Sequence, residues 1–346
     1  MRSHFGIVAV HLSLVLAVAG SALPSAARAA EPDGARPATV AGYGHAATPP
    51  PAQPVALRVR LWAYHIGQVD LHEGTCAFDG ALELSWPPGT GPREGDPRPF
   101  EIMNAVDARI EDYGGIVVSG RFVQVYRVHA SLRVDVDLER YPFDTQTLEL
   151  QLEHPLWTID QLSYAAESQV DPTLDLRRDR VGADVRLRDW QIEAVRDGVS
   201  EMVYAADQHF GRYTFTVEVR RSLLPFLVGE LAPIVLMVLI GLAATFLPAK
   251  ALDAKLLLTV LALLVAVELQ AAGADHMPHA GYLLLSDWLY VLSYLSIGLA
   301  VVHAIAEHRF FLVDRFAAAK RVRWGGFVLA AAVFFIPLTV MMVARA

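Results

Sequence analysis

A single cysteine, Cys76, occurs in 346 residues, so no intrachain disulfide can form and no cysteine pair exists to build a zinc or iron–sulfur site. Charge is also scarce. Only 19% of residues are Asp, Glu, Lys or Arg, where soluble domains carry about 25%. The net charge of −8 leaves no clustered positive surface for phosphate recognition, so nucleic acid is not an expected partner. No Gly-flanked nucleophile, phosphate loop or HExxH sequence is present, and neither an enzyme activity nor a cofactor or metal is expected. His129, His154 and His209 are dispersed among strand-like runs, where a hydrogen-bonded surface histidine is the default reading.

What the chain has in excess is apolar residues, 54% of the total, and this surplus calls for membrane-buried helices. Residues 1 to 30 join Arg2, a short apolar stretch and small residues around Ala27–Ala29, the pattern of a cleaved secretory signal. Residues 31 to 54 are rich in Pro, Ala and Gly and read as a flexible leader.

From 55 to 222 apolar and charged residues alternate, as in 55–62, 121–128, 131–138, 147–152, 185–195 and 213–219, with Gly, Pro and Asp turns between. Alternation with period two means half-buried strands, and many short ones without a convincing helix suggest a β-sandwich. This stretch holds 18 arginines, no lysine and 28 acidic residues, a net of −10, which reads either as a field that enriches cations near the membrane mouth or as a solubilising surface.

Four apolar segments follow, at about 223–247, 255–274, 281–304 and 325–343, each long enough to cross a bilayer. Lys250 and Lys255 lie between the first and second, and Arg309, Arg315, Lys320, Arg321 and Arg323 between the third and fourth. The positive-inside rule therefore places the β-domain and the carboxyl terminus outside, in agreement with a secretory signal.

The second segment carries Glu268 amid apolar residues. At about 100° per residue, Asp253, Leu257, Leu261, Leu264, Glu268 and Asp275 fall on one stripe. Either several copies of this stripe line an aqueous path, with the leucines as a dewetting gate and the acids favouring cations, or the leucines are filler and Glu268 pairs with a neighbouring helix. The first alternative demands an oligomer. Glu230 in the first segment and Asp287 in the third are read as structural hydrogen-bonding groups facing protein.

At 139–148 the sequence reads ERYPFDTQTL, and here the chain resembles the prokaryotic pentameric ligand-gated ion channels of the Cys-loop receptor superfamily. Tyr141, Pro142, Phe143 and Asp144 match the family's Pro-Phe-Asp signature loop, and Val219-Arg220-Arg221 is similar to its basic step before the first helix. Asp253-Ala254-Lys255 resembles the inner mouth of the pore and His276-Met277-Pro278 its outer end. The resemblance implies an immunoglobulin-like all-β extracellular sandwich of about ten strands followed by a four-helix transmembrane bundle.

It also implies a homopentamer in the bacterial plasma (inner) membrane, passing monovalent cations and opened by a small-molecule agonist or by protons. By the same resemblance Asp144, Arg221 and Asp70 form an electrostatic cluster at the domain–membrane boundary, and the turn holding Pro278 is the coupling loop. Phe100, Trp157, Tyr204 and Phe210 stand where the family's aromatic agonist-binding side chains are expected, and aromatic faces attract cationic amines. The competing reading is a membrane-anchored periplasmic sensor on the same scaffold that does not conduct.

Overall fold

A computed structural model describes residues 54–92, 98–205, 207–274 and 281–345. The expected signal peptide and nearly all of the leader lie outside the described residues, as do Asp275 and Pro278. The chain divides into two compact units. The larger, His45–Met202 with His209–Ala346, carries the sheets and helices, and the smaller includes Val203–Gln208, where the last two strands meet.

Among the described residues nine strands form: β1 Val55–Asp70, β2 Thr75–Trp86, β3 Glu101–Ile102, β4 Ala105–Val118, β5 Arg121–Arg133, β6 Thr145–Glu153, β7 Leu162–Ala166, β8 Trp190–Tyr204 and β9 Gln208–Arg221. They make a five-stranded sheet, ordered β4-β5-β2-β1-β7, and a four-stranded sheet, ordered β3-β6-β9-β8. β1–β2, β2–β5, β4–β5, β3–β6 and β6–β9 pair antiparallel, while β1 and β7 run parallel. Along β1 the alternation read in the sequence is the packing itself, since Leu57, Val59 and Leu61 are buried and Arg58 and Arg60 are exposed. Trp86, Tyr126, Tyr213 and Phe215 fill the sandwich core, each large side chain contributing about 1.5–3 kcal/mol by leaving water.

Two departures from the sequence expectation have physical reasons. The strand β4 escapes the period-two pattern because it is a sheet edge with nearly all its side chains exposed, so no inward apolar set exists to reveal it. Conversely the alternation at 131–138 outruns the ladder. β5 ends at Arg133, and beyond it the buried Val134 and Leu138 line a connection whose Val134 amide bonds to the Gly74 carbonyl at 2.8 Å.

Four helices of membrane-spanning length and hydropathy follow: α1 Leu223–Phe246, α2 Leu252–Gly273 in its apolar part, α3 Leu285–Leu312 and α4 Phe316–Arg345. The third and fourth exceed their hydropathy ranges, so Arg309, Lys320, Arg321 and Arg323 of the expected linker sit on helical turns, and only 313–315, with Arg315, separates the two. Arg and Lys are good helix formers, and hydropathy marks only the portion fit for hydrocarbon. In α1 a π-helical turn, Leu227–Leu231, precedes Pro233, whose missing N–H and ring would otherwise break a regular helix. α3 and α4 approach closely at Gly326, where a β-carbon would stand 2.4 Å from the His303 ring.

Buried inside the sandwich, Cys76 donates its thiol to the Gly67 carbonyl at 3.5 Å, and burial pushes the thiol up to about 11. At pH 8 native protein should therefore resist maleimide or disulfide reagents and react fully once unfolded; labelling of the native protein at a free-thiol rate would show β1 and β2 opening.

Candidate functional site

The loop between β5 and β6 joins the sandwich to the helices. Its Leu138 and Tyr141 belong to the apolar core of the bundle, packed with Phe226, Ile234, Leu285 and Leu289, while its Asp144 turns back into the sandwich. Tyr141 meets Phe226 edge-on at 5.7 Å and donates its hydroxyl to Glu230 on the π-helical turn of α1. Burial first, and the Glu230 charge second, push the Tyr141 hydroxyl up, so it remains a donor at any physiological pH. The Leu138 amide donates to the Tyr282 hydroxyl at 3.1 Å, tying the loop to the residues just before α3. Arg140 donates to the Arg345 carbonyl at 3.3 Å and Arg345 returns a bond to the Tyr141 carbonyl at 3.4 Å, so α4 is tied to the same loop.

Arg221, the last residue of β9, grips Asp144 with both prongs of its guanidinium, Nε to Oδ1 at 2.6 Å and Nη2 to Oδ2 at 2.8 Å. The Arg221 side chain is 11% exposed and that of Asp144 only 2%. Gln146 supplies a third bond to Asp144 Oδ2 at 2.7 Å, and the Arg221 guanidinium lies 4.2 Å from the Trp190 ring and 4.9 Å from the Tyr141 ring. Such a desolvated, bidentate and stacked pair requires arginine, because lysine offers neither the planar fork nor the flat face. Asp70 stands beside the pair but does another job: its carboxylate accepts the amides of His72 and Glu73 at 3.0 Å each and closes the β1–β2 turn. It shares with Arg221 and Trp190 the lining of one concavity. Pro142 is buried within the loop and Phe143 half-buried.

On α2 the stripe singled out in the sequence is the face turned away from the bundle. Leu257, Leu261 and Leu264 are 72%, 52% and 56% exposed, and Asp253 and Glu268 are exposed with them. The opposite face, Lys255, Thr259, Ala262 and Ala266, is buried, and α3 grips this helix through Tyr290 to the Leu269 carbonyl and Tyr294 to Gln270. Lys255, which the sequence places beside Asp253 at the mouth, is not on the exposed face at all. Its side chain is 1% exposed and its ammonium is held by Glu307 of α3, whose other oxygen takes Arg323 of α4 at 2.6 Å. Lys255 also reaches the Thr245 carbonyl of α1 at 3.4 Å, so one polar knot ties all four helices. Glu230 and Asp287 prove to be structural acceptors as expected, Asp287 taking the Leu284 amide at 2.8 Å.

The aromatic candidates divide differently. Phe100 is buried edge-on against Tyr126 at 5.0 Å, and Trp157 is buried with its ring stacked 4.4 Å over His154. His154 is not the surface histidine expected: its Nδ1 accepts the amides of Trp157 at 2.8 Å and Leu156 at 3.1 Å. Phe210 is buried as well, and Tyr204, half-buried, lies in the smaller unit. Within one chain only Tyr204 of the four presents appreciable surface. Sequence reasoning missed Trp190 and Gln146 as members of the boundary cluster, since neither type signals such a role without its neighbours.

No family model matches the chain. Over 287 residues, 77% of this chain and 77% of the relative, it is 22% identical to a protein of Gloeobacter violaceus named as a proton-gated ion channel. With a β-sandwich followed by four apolar helices in the same chain, the resemblance to pentameric ligand-gated ion channels is borne out, and the protein is a multi-pass membrane protein.

Replacing Arg221 with Gln would leave the Asp144 carboxylate buried and unanswered, and the expected loss is about 3–5 kcal/mol of stability in denaturant or thermal unfolding of the solubilised protein. Joining it to Asp144→Asn should recover part of that loss; strictly additive losses would show that the two groups do not depend on one another.

Proposed function

We propose that this protein is a ligand-gated ion channel, a homopentamer selective for monovalent cations, whose pore is lined by α2. The observation that carries the reading is the exposed stripe of α2. Among the described residues of the four helices, Glu268 is the one exposed carboxylate in mid-helix, and hydrocarbon is the one environment it cannot face. Copies of the helix closed around a common axis would give it water and place Leu257, Leu261 and Leu264 in a narrow apolar throat that gates by dewetting. With Lys255 neutralised inside the bundle, the exposed charges left on the stripe are those of Asp253 and Glu268, which favours cations.

The basic ends of α3 and α4 support an orientation with the sandwich on the outer side of a bacterial inner membrane, where its acidic surface gathers cations. The stimulus acts on the sandwich, and a small molecule between neighbouring subunits or a proton both suit the scaffold. The name of the Gloeobacter relative favours the proton. Movement of the sandwich would reach the membrane through Asp144 and Arg221, whose loop inserts Tyr141 among the helices and whose strand runs into α1.

Two substitutions test the pore face by voltage-clamp recording in a salt gradient. Glu268→Gln should lower conductance and move the reversal potential away from that of the cation, and unchanged currents would remove Glu268 from the pore. Leu264→Ser removes about 1.5–3 kcal/mol of dry apolar contact per subunit, and should lower the half-activating stimulus roughly tenfold or more; a variant no easier to open than wild type would count against Leu264 as the gate.

A further inference from the structure

Four ionisable side chains stand in one row across the outer face of the five-stranded sheet. Asp79 of β2 is opposite His65 of β1 on one side and His129 of β5 on the other, and His129 is opposite Arg109 of β4. Directly opposed residues point to the same side of a sheet, and the buried Phe78, Val128 and Ala130 next to Asp79 and His129 fix that side as the outward one. The β1 ladder slips at this level, between Ala63 and His65, so that Tyr64 is also exposed beside the row.

Asp79 is only half answered. Arg127 donates to its Oδ2 at 2.8 Å, but Oδ1 is buried without a hydrogen bond among the described residues. Nδ1 of His129 stands 3.3 Å from that oxygen, on a side chain 44% exposed and so reachable by solvent protons. A buried acceptor left without a donor costs about 1–3 kcal/mol. Histidine changes charge between about pH 5 and 8, and whichever ring nitrogen holds the proton of the neutral form, a second proton sets a cation against the carboxylate.

The surrounding charges neither impose nor forbid this. Arg127, whose guanidinium lies 4.6 Å over the Tyr64 ring, and Arg109 oppose a further positive charge, while Asp79 favours it together with Glu111, which sits opposite Arg127 and pairs with Arg109 at 2.8 Å. Before His129 is protonated the two arginines and two carboxylates cancel.

We propose that Asp79 and His129 form a proton-binding site of the sandwich, through which acidification drives the channel whose function is proposed above. Location supports the role. β2 starts at the turn closed by Asp70, and β5 leads into the loop that holds Tyr141 and Asp144, so the site joins the two strands from which both boundary segments hang. The inference rests on the channel reading only for its output; the proton site is a separate property of the sandwich.

The test uses the full chain, recorded under a pH series and melted in detergent at the two ends of the histidine range. His129→Gln and Asp79→Asn should each raise the proton concentration for half-activation roughly threefold or more, and the double variant should go no further than either single change. His129→Arg, a permanent donor to Asp79, should open at neutral pH and respond weakly to acid, which keeps the inference open to test if the glutamine variant folds poorly. In melting, the wild type should gain stability over His129→Gln in acid and lose that gain as pH rises, because a cationic imidazole pairs with the Asp79 carboxylate more strongly than a neutral one does. Wild-type half-activation and wild-type melting profiles in both single variants would overturn the site. A wild type silent at every pH, with the acid-dependent melting gain still abolished by His129→Gln, would overturn the channel reading and keep the proton site.

Discussion

Asp144 loses nearly all of its hydration at the foot of the sandwich, and Arg221 restores most of what it loses. A buried ion pair of this kind adds little net stability over an apolar isostere, yet removing either partner alone is costly. Its value is therefore positional. Asp144 is joined through Pro142 and Phe143 to Tyr141 in the bundle core, and Arg221 is the last residue of β9, separated from α1 by Ser222 alone. The loop that seats Tyr141 among the helices and the strand that runs into α1 are thus held to one another by one bidentate contact, close to the Tyr141–Glu230 bond.

The bundle solves the opposite problem. Its polar groups are gathered where they can answer one another: Lys255, Glu307 and Arg323 form a knot across three helices and touch the carbonyl of the fourth. Once those charges are folded away, α2 has two distinct sides, one bonded to α3 and one bare. Only the bare side carries acids, and this asymmetry sets α2 apart from α1 and α4, whose exposed mid-helix residues include Leu236, Leu239, Val328 and Ile336 and no carboxylate.

How much of this the sequence disclosed depends on the range of the signal. The α2 stripe was legible because helical periodicity and a misplaced charge are both local, and the Asp144 loop because four consecutive residues carry it. The direction of Lys255 was not, since it is decided by Glu307, fifty-two positions away, and nothing near Lys255 reports that partner. Aromatics are ambiguous for a different reason: Phe100 and Trp157 suit a core and a binding face equally well by composition, and their burial, Phe100 edge-on to Tyr126 and Trp157 stacked on His154, is set by residues the local sequence does not point to. The row through Asp79 and His129 depends on strand register, which alternation alone leaves free by whole two-residue steps.

The tether of α4 has a consequence of its own. With 30 residues the helix is about 45 Å long, well beyond a hydrocarbon core of about 30 Å, and a free helix of that length adapts to a thinner or thicker bilayer by tilting. Here one end is bonded to Glu307 through Arg323 and the other to the Tyr141 loop through Arg345. Tilting α4 must then strain one attachment or the other, so a change in the thickness of a surrounding membrane would be felt at the same loop that carries Asp144.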